Sequence, residues 1–298
     1  MPRLALFSAA LIWGSSFVMM KEAAGALPIH FLLACRFGIS FLLLSPALIQ
    51  RRKEIDRQYL KNISLIGFVL FLAYTFQTIG IRFTTPGKNA FLTAAYVILV
   101  PFVHWVAGKR KPAPKNLAAG CVCLAGIGLI SLTAPGDGAP LFIGAGDGFT
   151  LLGAIFYAVH IVLLGMFTRG KDPVIITVLQ FGYCTLYFSL AALLTESPPA
   201  SLDPASLFNV AYLAVFCTTV AMLFQNYGQK YVNPSPASLI MSLEAVFGVI
   251  FSVILYHEVL TPRLLFGFGL VFGAILISEV PYDFPLGKQR SRSAGTPE

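Results

Sequence analysis

Ten apolar runs of about twenty residues follow one another along this chain of 298 residues. Nothing else constrains its fold as strongly, because each run is long enough to cross a bilayer as a helix. They lie at about 3–23, 28–49, 60–81, 86–107, 114–133, 147–168, 173–195, 205–229, 234–256 and 262–280. The expected fold class is therefore an all-α membrane protein with ten transmembrane helices. Hydrophobic residues make up 57% of the chain and charged ones 11%. Soluble proteins carry about 25% charge, so an ordinary soluble domain is excluded.

Proline punctuates the pattern. Pro28, Pro86, Pro114, Pro173, Pro204, Pro234 and Pro262 stand where runs begin, and a helix's first turn has no use for the N–H that proline lacks. Pro101 lies inside the fourth run and is expected to kink it. Pro135 to Gly148 and Ser197 to Pro204 read as aqueous loops. The polar, basic tail at 282–298 is expected to be a disordered cytoplasmic extension. Arg3 and the small residues Ser8, Ala9 and Ala10 give the first run a superficial likeness to a signal peptide. Its counterpart in the second half argues for a retained helix.

The net charge of +8 is placed as topology requires, which argues against nucleic acid as a partner. Arg3, the cluster from Arg51 to Lys61, the run Lys109 to Lys115, Arg169, Lys171, Lys230, Lys288, Arg290 and Arg292 fall on one side. Lys21, Arg82, Lys88 and Arg263 fall on the other. The positive-inside rule then places both termini in the cytoplasm. The five cysteines lie inside apolar runs, none in a CxxC spacing, so neither a disulfide nor a metal site is expected. No HExxH, GxSxG or P-loop spacing occurs, and the four histidines are scattered. An enzyme, a cofactor or ATP-driven transport by this chain alone has no support.

The chain repeats itself. Phe76, Gln77 and Gly80 match Phe224, Gln225 and Gly228; Arg82 and Phe83 match Lys230 and Tyr231; Pro86 matches Pro234, all at one offset. At that offset Tyr96 falls opposite Glu244. Arg36-Phe37-Gly38 matches Gln180-Phe181-Gly182, and Gly120 and Gly126 match Gly267 and Gly273. Two units result, 1–134 and 147–281. Five helices is an odd number, so the second unit has to enter the membrane from the opposite side, an inverted repeat. In transporters built this way the substrate site lies near the midplane between the halves.

A charged group at the bilayer centre costs at least about 2.5–3.5 kcal/mol on insertion scales, so Glu244, about ten residues into its run, needs a reason. It is either a structural carboxyl bonded to a neighbouring helix or a group that carries a proton or pairs with a cation. Asn89, Thr93 and Tyr96 share one face of the fourth run; Thr218, Gln225 and Gln229 form a similar stripe in the eighth. Such stripes line a wet cavity or hold helices together by hydrogen bonds, and Gln77 could join either arrangement. Trp13 and Phe17 share a face of the first run, and Tyr157 and His160 lie close together in the sixth. The aromatic rings could stack on a substrate or simply pack; His160 could relay a proton or be a satisfied structural histidine. Arg36 either snorkels to the extracytoplasmic edge or contacts an anion or Glu244. Gly269-x-x-x-Gly273 permits a close helix contact.

Trp13-Gly14-Ser15-Ser16-Phe17, Ser242-Leu243-Glu244-Ala245-Val246-Phe247 and Glu258-Val259-Leu260-Thr261 followed by Gly267 to Gly273 together resemble the drug/metabolite transporter superfamily, specifically its EamA-like permeases. The resemblance covers nearly the whole chain as two EamA-type repeats. It implies an inner-membrane carrier with ten helices, cytoplasmic termini and a central cavity, often exporting amino acids or other metabolites. Ala245 stands where many relatives have proline, and Gly108-Lys109-Arg110-Lys111-Pro112 replaces a common Gly-Glu-Arg-Pro. The expectation is a secondary transporter of small organic solutes. Trp13, Phe17, Gln77, Asn89, Thr93, Tyr96, Tyr157, His160 and Gln225 are the candidate substrate contacts, and Glu244 is the candidate for proton coupling. An uncoupled pore, a lipid flippase and a membrane-embedded enzyme are the rivals.

Overall fold

Helices begin where proline or a short polar side chain closes their first turn. The computed structural model describes residues 1–51, 55–107, 111–133, 142–167, 172–199, 201–232 and 240–279. The first half contains α1 (Pro2–Ala26), α2 (Ile29–Leu44), the short α3 (Pro46–Arg51), α4 (Arg57–Phe83), α5 (Pro86–Ala94), α6 (Tyr96–Val106) and α7 (Pro114–Ser131). The second contains α8 (Ala145–Phe167), α9 (Pro173–Thr195), α10 (Pro204–Tyr212), a π-helical stretch Leu213–Val220, α11 (Ala221–Tyr231), α12 (Leu243–Tyr256) and α13 (Pro262–Glu279). Asp56, Thr85, Asp172 and Asp203 accept amide hydrogen bonds as N-caps of α4, α5, α9 and α10, occupying donors that would otherwise have no partner. The strands among the described residues form one two-residue antiparallel pair, Leu132–Thr133 with Phe142–Ile143. The tail at 282–298 and the start of the ninth run at Pro234 lie outside the described residues.

Seven of the described helical segments are long and apolar enough to cross a membrane, and Ile29–Leu44, Leu243–Tyr256 and Pro262–Ser278 are shorter apolar helices. Leu124, Leu193, Leu194 and Phe266 stand exposed on the outside, an apolar surface of the kind that hydrocarbon solvates and water does not.

Packing pairs the two halves. α1 packs on α12 and on the rod formed by α10, the π stretch and α11; α8 packs on α5, α6 and α4. α2 packs on α9 and the π stretch, α9 on α4, and α7 on α13. Exchange each helix for its repeat counterpart, and every one of these pairs becomes another member of the set.

Two helices are broken at matching places. α5 ends at Ala95, whose N–H bonds back to Leu92 and Thr93, and α6 resumes at Tyr96. In the second half a turn at Ser242 precedes α12. The break in the fourth run therefore lies at Ala95, and Pro101 sits within the helix that follows.

Glycines set the closest helix contacts. A Cβ on Gly80 would lie 2.8 Å from the Gly146 carbonyl oxygen, and one on Gly126 would lie 2.9 Å from that of Gly267. Gly269 and Gly273 have no such neighbour within 4 Å. The close pair in the last helices is thus Gly126 with Gly267, and the Gly269-x-x-x-Gly273 spacing marks no close contact among the described residues.

At the end of the molecule where α1 and α4 finish, each helix is capped by the other's cation. Lys21 donates to the carbonyls of Ile81, Arg82 and Thr84, and Arg82 donates to those of Ala24 and Leu27. Cations suit helix C-termini because the last carbonyls lack intrahelical donors. Nearby, His257 adopts a left-handed conformation, φ 54° and ψ 36°, which turns the chain so that Glu258 points back. Its carboxylate accepts from Ser252, Thr85 and the Gly87 amide, tying α12 to the start of α5.

Candidate functional site

The centre of the site is Gln77, on the α4 face that meets α5 and α8. Its Nε2 donates to Thr93 Oγ1 at 3.0 Å, and its Oε1 accepts from the Tyr157 hydroxyl at 2.8 Å. One side chain thereby joins three helices of which two belong to different repeats. Asn89, fully buried, donates from Nδ2 to Thr150 Oγ1 at 2.7 Å and to the Gln77 carbonyl at 3.3 Å. Its Oδ1 has no partner among the described residues. Tyr157 lies edge-on to Tyr74, ring centroids 5.4 Å apart, and 6.1 Å from the Tyr96 ring.

Glu244 opens α12 just after the turn at Ser242 and is buried. It forms no hydrogen bond or ion pair with another described residue, yet it lies within electrostatic reach of the Tyr74 and Tyr157 phenols. A helix N-terminus presents unpaired N–H dipoles that suit a carboxylate, whereas burial suits the neutral acid. The carboxyl is thereby placed between two influences of opposite sign.

Arg36 belongs to the same neighbourhood. It is 3% exposed, so it does not snorkel to an edge. Its Nε donates to Thr218 Oγ1 at 2.7 Å, and its guanidinium carbon lies 5.0 Å from the Tyr74 ring centroid and 5.8 Å from that of Phe37. Thr218 comes from the π stretch, where Trp13 Nε1 donates to the Cys217 carbonyl at 2.8 Å and Ser40 donates to the Ala214 carbonyl at 2.9 Å. π turns leave carbonyls displaced from the regular ladder and are frequent at functional sites; here those carbonyls receive side chains from α1 and α2.

The structure therefore brings together Gln77, Asn89, Thr93, Tyr96 and Tyr157, and adds Tyr74 and Arg36. Both Tyr74 and Tyr157 link this group electrostatically to Glu244. Trp13 anchors α1 to the π stretch, and Phe17 is buried in the core against Gly248. His160 pairs through Nε2 with Gln180 on α9. Gln225 is half-buried on α11, a helix that packs on α1. Tyr74 was legible as the residue one turn before Gln77 on the same face. Thr150 carried no such signal, because ordinary helices contain threonine, and Gln180 was marked only as the repeat counterpart of Arg36.

These elements describe a multi-pass helical membrane protein with a polar, partly ionisable centre. The profile of the EamA-like transporter family matches residues 2–132 and again 144–279. The chain belongs to that family. It is 31% identical over 282 residues to an uncharacterized transporter of Archaeoglobus fulgidus, covering 92% of this chain and 84% of that protein. It is also 25% identical over 284 residues to the uncharacterized transporter YyaM of Bacillus subtilis, covering 91% and 89%. A solved crystal structure superposes with a TM-score of 0.63 at 20% identity, over 93% of this chain and 95% of that one, a likeness of fold.

Proposed function

We propose that this protein is a secondary transporter of small organic solutes, amino acids or related amphipathic metabolites, working by alternating access. Its two units, 1–134 and 147–281, are read as inverted five-helix repeats, with both termini cytoplasmic in an inner membrane and export as the working direction. The observation that carries this reading is the pair of helix breaks at Ala95 and Ser242. Each is followed within two residues by a polar group, Tyr96 and Glu244, at equivalent positions of the repeat. Discontinuous helices at the midplane are where carriers of inverted-repeat design hold substrate and coupling ion, because the broken ends present backbone groups that a continuous helix consumes. The exchange of helix pairs between halves supports the two-fold relation.

Glu244 is assigned the coupling role. Protonated, it avoids the cost of a buried charge; ionised, it needs a cation or water. Such a group exchanges a proton for substrate. The test uses proteoliposomes with the wild type beside Glu244→Gln. The variant is expected to reach the membrane and to exchange solute between equal compartments, while losing pH-gradient-driven uptake. Full gradient-driven transport with an unchanged pH profile in the variant would remove Glu244 from the coupling site. Linear, non-saturating flux without counter-flow in the wild type would favour an uncoupled pore.

A further inference from the structure

We propose that Arg36 is the recognition residue for a carboxylate on the transported solute, and that carriage depends on that anionic group. The proposal rests on the transporter reading above and deepens it, since it names what the central site selects.

A guanidinium at 3% exposure inside a bundle of apolar helices is expensive unless an anion or several acceptors compensate it. Arg36 has one hydrogen bond among the described residues, from Nε to Thr218. No described carboxylate pairs with it: the ion pairs among the described residues are His30 with Glu196 and Lys88 with Asp147. Glu244, within electrostatic reach of the same two tyrosines, forms no ion pair with it among the described residues. The two nitrogens at the end of the guanidinium therefore make no hydrogen bond to a described side chain or carbonyl.

The rest of the arrangement fixes the group's direction. Thr218 holds Nε, and the Tyr74 and Phe37 rings flank the guanidinium. Thr218 is itself held, its hydroxyl donating to the Leu213 carbonyl at 2.8 Å within the π stretch. A pinned guanidinium whose forked end lacks partners among the described residues has the donor geometry that takes a carboxylate through two parallel N–H···O bonds. An arginine kept only to join α2 to the π stretch would need no charge, and Ser40 already makes that connection through the Ala214 carbonyl.

The experiment compares acids with their primary carboxamides on the detergent-solubilised full-length protein. The panel contains L-α-amino acids, α-keto acids and short aryl and alkyl carboxylic acids; the readouts are thermal shift and titrated binding. At least one acid is expected to bind, with its carboxamide about 10- to 100-fold weaker, as loss of one charge-assisted hydrogen bond implies. Arg36→Gln removes the charge while keeping a polar side chain, and is expected to bring the acid to within a few-fold of the amide. Equal binding of acid and amide by the unaltered protein overturns the proposal even if the variant does not fold. So does a panel in which no acid binds, or an acid preference that survives in Arg36→Gln. Counter-flow in proteoliposomes separates the two ideas. Saturable exchange of amines or neutral solutes but not acids defeats the role of Arg36 and leaves the carrier. Acid-selective binding without saturable exchange defeats the carrier and leaves the site.

Discussion

Tyr157 shows how much one hydroxyl decides in this site. It supplies the donor to Gln77 Oε1, and Gln77 in turn donates to Thr93. Tyr157→Phe removes the donor and leaves the amide oxygen facing an aromatic ring, a loss of about 1–3 kcal/mol when the orphaned group is buried. The variant is expected to unfold at a lower temperature in detergent, and to show a raised KM in counter-flow with unchanged abundance in the membrane. A wild-type KM would place Gln77 outside the solute path. Glu244 makes the contrasting case, since it has no bond to lose within the described residues and its substitution is expected to change energetics of transport more than stability.

Among the elements, the α7–α13 pair is built on glycine. A side chain at Gly126 would meet the backbone of Gly267 and Val271, which cannot move aside as a flexible side chain could. Gly126→Leu is therefore expected to destabilise the fold by about 1–3 kcal/mol or more, the usual cost of overpacking. Gly273→Leu, at a position with nothing near its Cβ, is expected to be close to neutral. Thermal unfolding of the two variants side by side is the measurement, and equal losses would contradict the assigned contact. The broken helices raise the same issue of local against distant control. Proline at 101 was a visible reason for a kink, but the interruption falls at Ala95, where both segments pack on α8 while α5 also packs on α12 and α6 on α7.

At the scale of the whole molecule, the charge bias along the chain makes a prediction about orientation. Basic residues gather in the loops assigned to one side, and the positive-inside rule makes that side cytoplasmic. A reporter fused after Glu298 is expected to be active only in its cytoplasmic form. A periplasmic signal would break the proposed parity of five helices in each half, and with it the proposed inverted relation between them. The mutual capping of α1 and α4 by Lys21 and Arg82, together with the bond of Glu258 to the start of α5, ties one end of the bundle together.

What the sequence determined by itself was whatever is written as a linear pattern. Lengths of apolar runs, prolines at their starts, the matched residues of two repeats and the face shared by Asn89, Thr93 and Tyr96 could be read from spacing, but not that Gln77 and Tyr157 meet that face. Rotation of each helix about its own axis could not. A helix that is apolar all round carries no stripe to say which face meets its neighbours, so Gly269 and Gly273 looked as suitable for a contact as Gly126 and Gly267. Only the tertiary structure decided that Arg36 is buried against Thr218, 182 residues away, instead of reaching the membrane edge. The physical reason is that a long charged side chain can snorkel or turn inward with the same local sequence, and the choice depends on acceptors and aromatic faces supplied by other helices.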